Sequence, residues 1–196
     1  MFSHERSHLR PKARASLKGR ERLRLFVALL LPDEALARLA AWQHEELGAP
    51  AAARVVPREN LHVTLAFLGS TDASELAGIA AALRATAPES EPPVFEPVRY
   101  RETRSVGMVV LSDEGNRAGR LAERLFGRLE ELGVYERERR PWLPHVTVLR
   151  FRQRPRLTPL LPDLGRVVSS EMAVMISRLR PSGAQYEVLE SVPVGG

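Results

Sequence analysis

Two tetrapeptides in this 196-residue chain combine the same reactive groups, His62-Val63-Thr64-Leu65 and His145-Val146-Thr147-Val148. Each sets an imidazole and a hydroxyl two residues apart, with apolar residues at the alternate positions. On a β-strand, successive side chains point to opposite faces, so His62 shares a face with Thr64 and His145 with Thr147, while the apolar partners face a core. An imidazole with its ordinary pKa of about 6.5 accepts a proton, and its protonated form donates one, at nearly the same pH. Two such rings across one groove form an acid–base pair, one drawing a proton from water and the other delivering a proton to a departing oxygen. Opening a cyclic phosphodiester needs both steps in line across phosphorus, and neighbouring hydroxyls stabilise the charge that develops on its oxygens. A single histidine on a strand is more often a hydrogen-bonded structural residue. The matched settings distinguish His62 and His145 from His4, His8 and His44, which read as solvated.

The elements that must present these groups follow from periodicity and turn chemistry. Leu23–Leu31 reads as a buried strand closed by Pro32, and Pro32-Asp33 opens a helix that ends at Gly48 and Pro50. Leu61–Leu68 is the first His-x-Thr strand, stopped by Gly69, and Thr71-Asp72 with Glu75 caps a helix over Ser74–Thr86. After the loop Pro88–Pro93, Val94–Arg101 and Val106–Leu111 read as a strand pair. Leu121, Leu125, Leu129 and Leu132 line one face of a helix over Asn116–Leu132. Pro141-Trp142-Leu143-Pro144 leads into the second His-x-Thr strand, Arg154–Leu164 reads as loop or short helix, and Val167–Ser177 with Gln185–Leu189 forms a last pair. The fold class expected is α+β, one domain over residues 21–196 with two similar lobes, each offering one motif strand to a shared groove.

Composition narrows the setting. Cysteine is absent, which excludes disulfides, thiolate nucleophiles and cysteine-ligated zinc and fits a cytoplasmic protein. No run approaches the roughly 18 apolar residues of a spanning helix, so no membrane association is expected. The net charge of +5 belongs to residues 1–20, which hold six basic side chains and one acid and read as a disordered tail; the rest of the chain is balanced. Within that balanced body, residues 137–156 carry seven arginines against Glu138, and this excess straddles His145.

The flanking residues resemble the two-histidine phosphoesterases, in particular the RNA 2′,3′-cyclic phosphodiesterases, also called 2′-5′ RNA ligases. The resemblance runs through Arg24-Leu25-Phe26-Val27-Ala28, Glu59–Gly69, Gly107–Leu111, Pro141–Val148 and Ser177–Tyr186, in the family's order. It implies two antiparallel sheets with outer helices around a central groove, the lobes related by a pseudo-twofold axis. It also implies hydrolysis of RNA 2′,3′-cyclic phosphate ends, or of a small cyclic nucleotide, to 2′-phosphomonoesters, with reversible 2′-5′ ligation as a related activity. His62 would then be the acid and His145 the base, with Thr64 and Thr147 on the phosphate and no cofactor or metal. The alternative is a non-catalytic RNA- or nucleotide-binding module on the same fold, although binding alone requires no proton donor and acceptor. No obligate protein partner is expected, and the chain reads as a monomer.

Arg150, Arg152 and Arg154 follow the second motif. Arg150 stands five residues beyond His145, hence on the opposite face of a regular strand, and reaches the groove as a phosphate ligand where the strand bends. Arg152 and Arg154 read as rim charges that would steer an RNA backbone. Trp142 is a candidate for base stacking, balanced against a role as a loop anchor. Phe67 shares the parity of Leu61, Val63 and Leu65 and so reads as packing, while Tyr186 could bring a hydroxyl to the groove.

Overall fold

A computed structural model describes residues 21–48, 53–181 and 183–195, so the basic segment 1–20 lies outside the described residues. Ten strands and three α-helices follow in the order β1 (Arg22–Leu29), α1 (Asp33–Trp42), β2 (Ala53–Val55), β3 (Val63–Asp72), α2 (Leu76–Thr86), β4 (Val94–Phe95), β5 (Pro97–Glu102), β6 (Val106–Leu111), α3 (Arg117–Glu131), β7 (His145–Phe151), β8 (Val167–Val168), β9 (Glu171–Arg180) and β10 (Gly183–Pro193). The class is α+β. The main sheet is antiparallel, with the strand order β10-β9-β1-β3-β7-β6-β5 and β2 added alongside β7, while β4 and β8 form a small separate pair.

The expected two lobes exist as two halves of this one sheet. β10, β9, β1 and β3 form one half, and β7, β6, β5 and β2 the other. A single residue pair, Val63 opposite Val146, joins them. All three helices pack on one face, where Leu39, Leu83, Leu121, Leu125 and Leu129 meet Leu25, Val27, Val63, Val109, Val146 and Val174 in the main core. Their leucines recur at helical spacing, so each helix buries one stripe; Leu132, beyond the end of α3, is 40% exposed. The opposite face carries only a small cluster of Phe26, Ala28, Ala173 and Met175. Helices cover one side, and the other is left open. Among the described residues no helix is long and apolar enough to cross a membrane.

Gly48 ends the first helix as expected, while two other boundaries differ from the sequence expectation because pairing overrides local signals. α1 continues through a π-helical turn, Gln43–Leu47, before Gly48 turns the chain with φ of 57°. Gln43 is buried there, donating from Nε2 to the carbonyls of Val56 and Val148, so the widened turn aims an amide at the middle of β7. Gly69 does not stop β3; it sits inside the strand at φ of 67° and pairs with Leu25. Val94–Phe95 does not continue into β5 but pairs with Val167–Val168 in the small sheet.

Candidate active site

The pairing of Val63 with Val146 builds the site. In an antiparallel pair, residues facing each other lie on the same side of the sheet. With the two valines opposed, His62 falls across from Thr147 and Thr64 across from His145. All four polar side chains therefore share the face that the helices leave open, and the two His-x-Thr segments are related by a local twofold axis through the valine pair. Both valines are buried, Val63 fully and Val146 to 1% exposure, so this register is held by the core.

The twofold relation extends to the ring orientation. His62 Nδ1 lies 2.8 Å from the carbonyl oxygen of Asn60, and His145 Nδ1 lies 2.8 Å from that of Leu143. In each case the acceptor is two residues upstream, so Nδ1 carries the hydrogen and donates it, which leaves Nε2 as the group facing the site. His62 Nε2 meets Thr64 Oγ1 at 3.1 Å. Asn60 is itself buried and donates from Nδ2 to the carbonyl of Ala184, tying the turn before His62 to β10.

Each motif strand also bulges at the same place. Opposite β6, Met108 pairs with Thr147 but Gly107 pairs with Leu149, so Val148 is an extra residue. Opposite β1, Ala28 pairs with Thr64 but Val27 pairs with Ala66, so Leu65 is extra. A bulge shifts everything beyond it to the other face. Arg150, paired with Val106, is thereby turned onto the face of Thr147, and Phe67, paired with Phe26, onto the face of Thr64. The proviso on Arg150 is met, since the strand is not regular. Phe67 is a correction: it is not packed in the core but 48% exposed, with the Arg24 guanidinium 4.8 Å above its ring. The signal was present in the sequence as the adjacent apolar pairs Leu65-Ala66 and Val148-Leu149, which break strict alternation.

The open face holds a cavity of about 290 Å³ lined by His62, Thr64, Thr147, Arg150, Phe67 and Tyr186, among others. Tyr186 closes one side, with ring centroids 5.0 Å from Phe26 and 5.4 Å from His62, both edge-on. Its hydroxyl faces Arg150 Nη2 at 3.5 Å. The sequence offers Tyr186 as a hydroxyl that could reach the groove, and the β9–β10 pairing brings it to this wall. A second, adjacent cavity of about 650 Å³ shares Thr64 and Phe67 with the first and is lined by His145 and Trp142. Each histidine thus faces a different cavity, and Thr64 stands at their junction.

Burial lowers the His62 pKa to about 4; the hydrogen bond to Asn60 works in the opposite direction, and the charges of Arg150 and His145 lower it further. His62 is therefore neutral in the free protein at neutral pH.

The remaining arginines of the 137–156 excess divide between structure and rim. Arg137 pairs with Glu123 and Glu130. Arg154 is not a free rim charge: its Nε donates to Glu102, 3.0 Å away. Glu102, whose side chain is 2% exposed, also accepts from the backbone N–H groups of Arg156 and Leu157. Burial pushes its carboxyl pKa up, but these donors with Tyr100 outweigh it and hold the pKa below the ordinary value. Arg152 remains exposed and lines neither cavity. Trp142 is half-buried against the core and donates its indole N–H to the Thr64 carbonyl at 3.0 Å. That bond satisfies a carbonyl on β3 just where β3 and β7 part, and fixes the strand carrying Thr64. His44 is exposed in the turn after α1. Among the described residues no group of three or more His, Asp or Glu side chains converges as a metal site would require.

Comparison with known proteins places this arrangement. Residues 31–180 match the family model described as the 2′-5′ RNA ligase superfamily. A Thermus thermophilus protein named RNA 2′,3′-cyclic phosphodiesterase is 32% identical over 192 residues, covering 89% of this chain and 91% of that protein. A protein of the same name from Methanocaldococcus jannaschii is 24% identical, covering 86% of this chain and 99% of its own. Among solved structures, a Thermus thermophilus protein superimposes with a TM-score of 0.75 at 30% identity, covering 89% of this chain and 99% of that one. The apo form of Escherichia coli LigT gives 0.73 at 25% identity, covering 90% and 99%.

Proposed function

The chain belongs to the 2′-5′ RNA ligase superfamily, and on that premise we propose that it opens RNA 2′,3′-cyclic phosphate ends to 2′-phosphomonoesters without a metal ion. The observation that carries this reading is the placement of His62, Thr64, His145 and Thr147 on one open sheet face by the Val63–Val146 pair. The phosphate sits at the junction marked by Thr64, between the two Nε2 atoms. His145 Nε2 takes the proton of the attacking water and His62 Nε2 gives a proton to the leaving O3′. The bond from phosphorus to O3′ breaks as the bond to the water oxygen forms, and the phosphate remains on O2′. Thr64, Thr147 and Arg150 face the non-bridging oxygens, where the negative charge grows.

The depressed pKa of His62 bears on its role as the acid. A ring kept neutral in the free protein chiefly by its burial takes up its proton as the phosphate anion enters, because a negative charge beside the buried ring favours the imidazolium and also offsets the smaller opposing effect of Arg150. The same charge balance lets the ring return to neutrality once it has protonated O3′. The fit of two cavities to either side of phosphorus also accommodates the reverse, 2′-5′ bond-forming direction.

The experiment is product analysis on an RNA oligonucleotide ending in a 2′,3′-cyclic phosphate, with and without EDTA. The expected product is the 2′-phosphomonoester at equal rates in both. Formation of a 3′-phosphate, or loss of activity with the chelator, contradicts the mechanism; tight binding of the cyclic end without turnover returns the protein to the class of binding modules.

A further inference from the structure

Arg150 is held in place by its main chain rather than by its own head group. Among the described residues no carboxylate pairs with it, and its only hydrogen-bond partner is the Tyr186 hydroxyl, at 3.5 Å. Directly opposite it on β2 stands another cation, Arg54. Like charges that face each other across a ladder repel. The side chain nevertheless lines the smaller cavity beside His62, Thr64 and Thr147. It does so because Val148 is an extra residue in β7, which turns what lies beyond it onto the open face. Whatever holds that bulge therefore holds the cation that meets the phosphate.

A side chain outside both cavities grips it. Gln43 begins the π-helical turn after α1, is 2% exposed, and lines neither cavity. Its Nε2 donates to the Val148 carbonyl at 2.8 Å and to the Val56 carbonyl at 3.1 Å. Val148 is the extra residue itself, and its carbonyl also accepts from the Val56 N–H at 3.0 Å. The amide thus spends both of its hydrogens on closing the chain beyond β2 against the bulge of β7. A bulge interrupts the ladder, so its buried carbonyls need donors from outside it. An amide in an apolar core is costly unless such bonds are made, and a leucine or methionine would fill the space without that cost. The bulge on β3 has a similar support, since Trp142 reaches the Thr64 carbonyl beside the extra Leu65. The two differ in what they carry: β3 presents Phe67, β7 the phosphate-facing Arg150.

Resting on the proposed phosphodiesterase reading, we infer that Gln43 is a positioning residue for the reaction: its buried amide locks the β7 bulge and so sets the Arg150 guanidinium against the non-bridging phosphate oxygens. It touches no substrate. Released from the amide, the bulge loosens, and the Arg150 head group, with no carboxylate to hold it, moves away from phosphorus and from His62 together. A displacement of about 1 Å in such a group costs up to about 10²-fold in rate. His145 and Thr147 precede the bulge and stay in register through Val146 and Val63. Loss of the Gln43 amide therefore copies loss of Arg150, not loss of a histidine.

The test compares the natural chain, Gln43→Met, Arg150→Ala and the double variant; methionine keeps the length of the side chain and removes both N–H donors. Hydrolysis of an RNA ending in a 2′,3′-cyclic phosphate is measured, together with an NMR titration of the His62 ring in the free proteins. Gln43→Met is expected to lower kcat by about tenfold. It should also raise the His62 pKa in the same direction as Arg150→Ala, because the same positive charge has moved off the ring. On the Arg150→Ala background, Gln43→Met should change kcat by less than about twofold and leave the titration unmoved. A general loss of packing would instead lower activity equally in both backgrounds. Full activity in a folded Gln43→Met, equal fold-losses with and without Arg150, or an unchanged His62 titration each overturns the inference. Should Gln43→Met not fold, Gln43→Asn, which keeps the amide but shortens its reach, is judged by the same criteria. Failure of both to fold also overturns the inference, because the amide then serves the whole fold. Absence of hydrolysis in the natural chain defeats the phosphodiesterase reading alone, and the titration still decides whether Gln43 places Arg150.

Discussion

The two motif strands share a backbone plan and differ in what they hang on it. In both, a histidine donates Nδ1–H to the carbonyl two residues upstream, a buried valine follows, then a threonine and a bulge. Five residues beyond the histidine, however, β3 presents Phe67 and β7 presents Arg150. The surroundings diverge in the same sense. His62 is packed against Phe26 and Tyr186, whereas His145 faces the larger, arginine-rimmed cavity. Near-symmetric main chain thus positions two imidazoles alike, and the side chains make their surroundings inequivalent. That inequivalence suits the proposed acid–base pair, because different surroundings favour different protonation states in the two rings.

The largest effects should come from the shared elements. His62→Ala and His145→Ala are each expected to reduce kcat by about 10²–10⁴-fold. Were one of them to leave the rate intact while the other abolished it, the twofold division of labour would fail. Thr64→Val and Thr147→Val remove one hydroxyl donor each and should cost up to about 10²-fold, read as kcat rather than KM. A loss confined to KM would show that these hydroxyls bind the ground state only.

The asymmetric positions sharpen the comparison further. Arg150→Ala removes a positive charge beside His62 and so should raise the pKa of that ring above about 4, with burial, the larger cause, still holding it below the ordinary value. Phe67→Ala, at the equivalent place on β3, should leave it where it is. An NMR titration of the His62 ring in the free proteins separates the two. Because this pKa is lower in the folded chain than in the unfolded one, the unfolded state binds more protons between about pH 4 and 6.5. Stability should therefore fall as the pH is lowered through that window, by no more than about 3 kcal/mol. Denaturant unfolding at pH 7 and pH 4.5, in the natural chain and in His62→Ala, checks the sign, since the variant should lose this part of the pH dependence.

The smallest effects concern the frame behind the second motif. A Cβ on Gly107 would collide with the Tyr100 hydroxyl and lie 3.2 Å from Leu149 Cβ, so Gly107→Ala should destabilise by about 1–3 kcal/mol. Gly127, on α3, has no neighbour within 4 Å of such an atom, and Gly127→Ala should stabilise by up to about 1 kcal/mol. Equal melting shifts for both variants would argue against the close seating of Tyr100 on β6.

Several features were decided by neighbouring residues alone. Alternation around His62 and His145 settles that each histidine shares a face with its threonine, because the side-chain period of a strand is two wherever the strand is regular. The leucine spacing of α3, the cap at Asp72 and the turn at Gly48 are equally local, and the structure bears them out. Pairing between distant segments decided the rest. The register of Val63 on Val146 brings four polar groups to one face, the two bulges move Arg150 and Phe67 across the sheet, and β10 supplies Tyr186. Local chemistry tells which groups are available, whereas a one-residue change of register reverses the face on which each of them stands, and only the packed core selects the register.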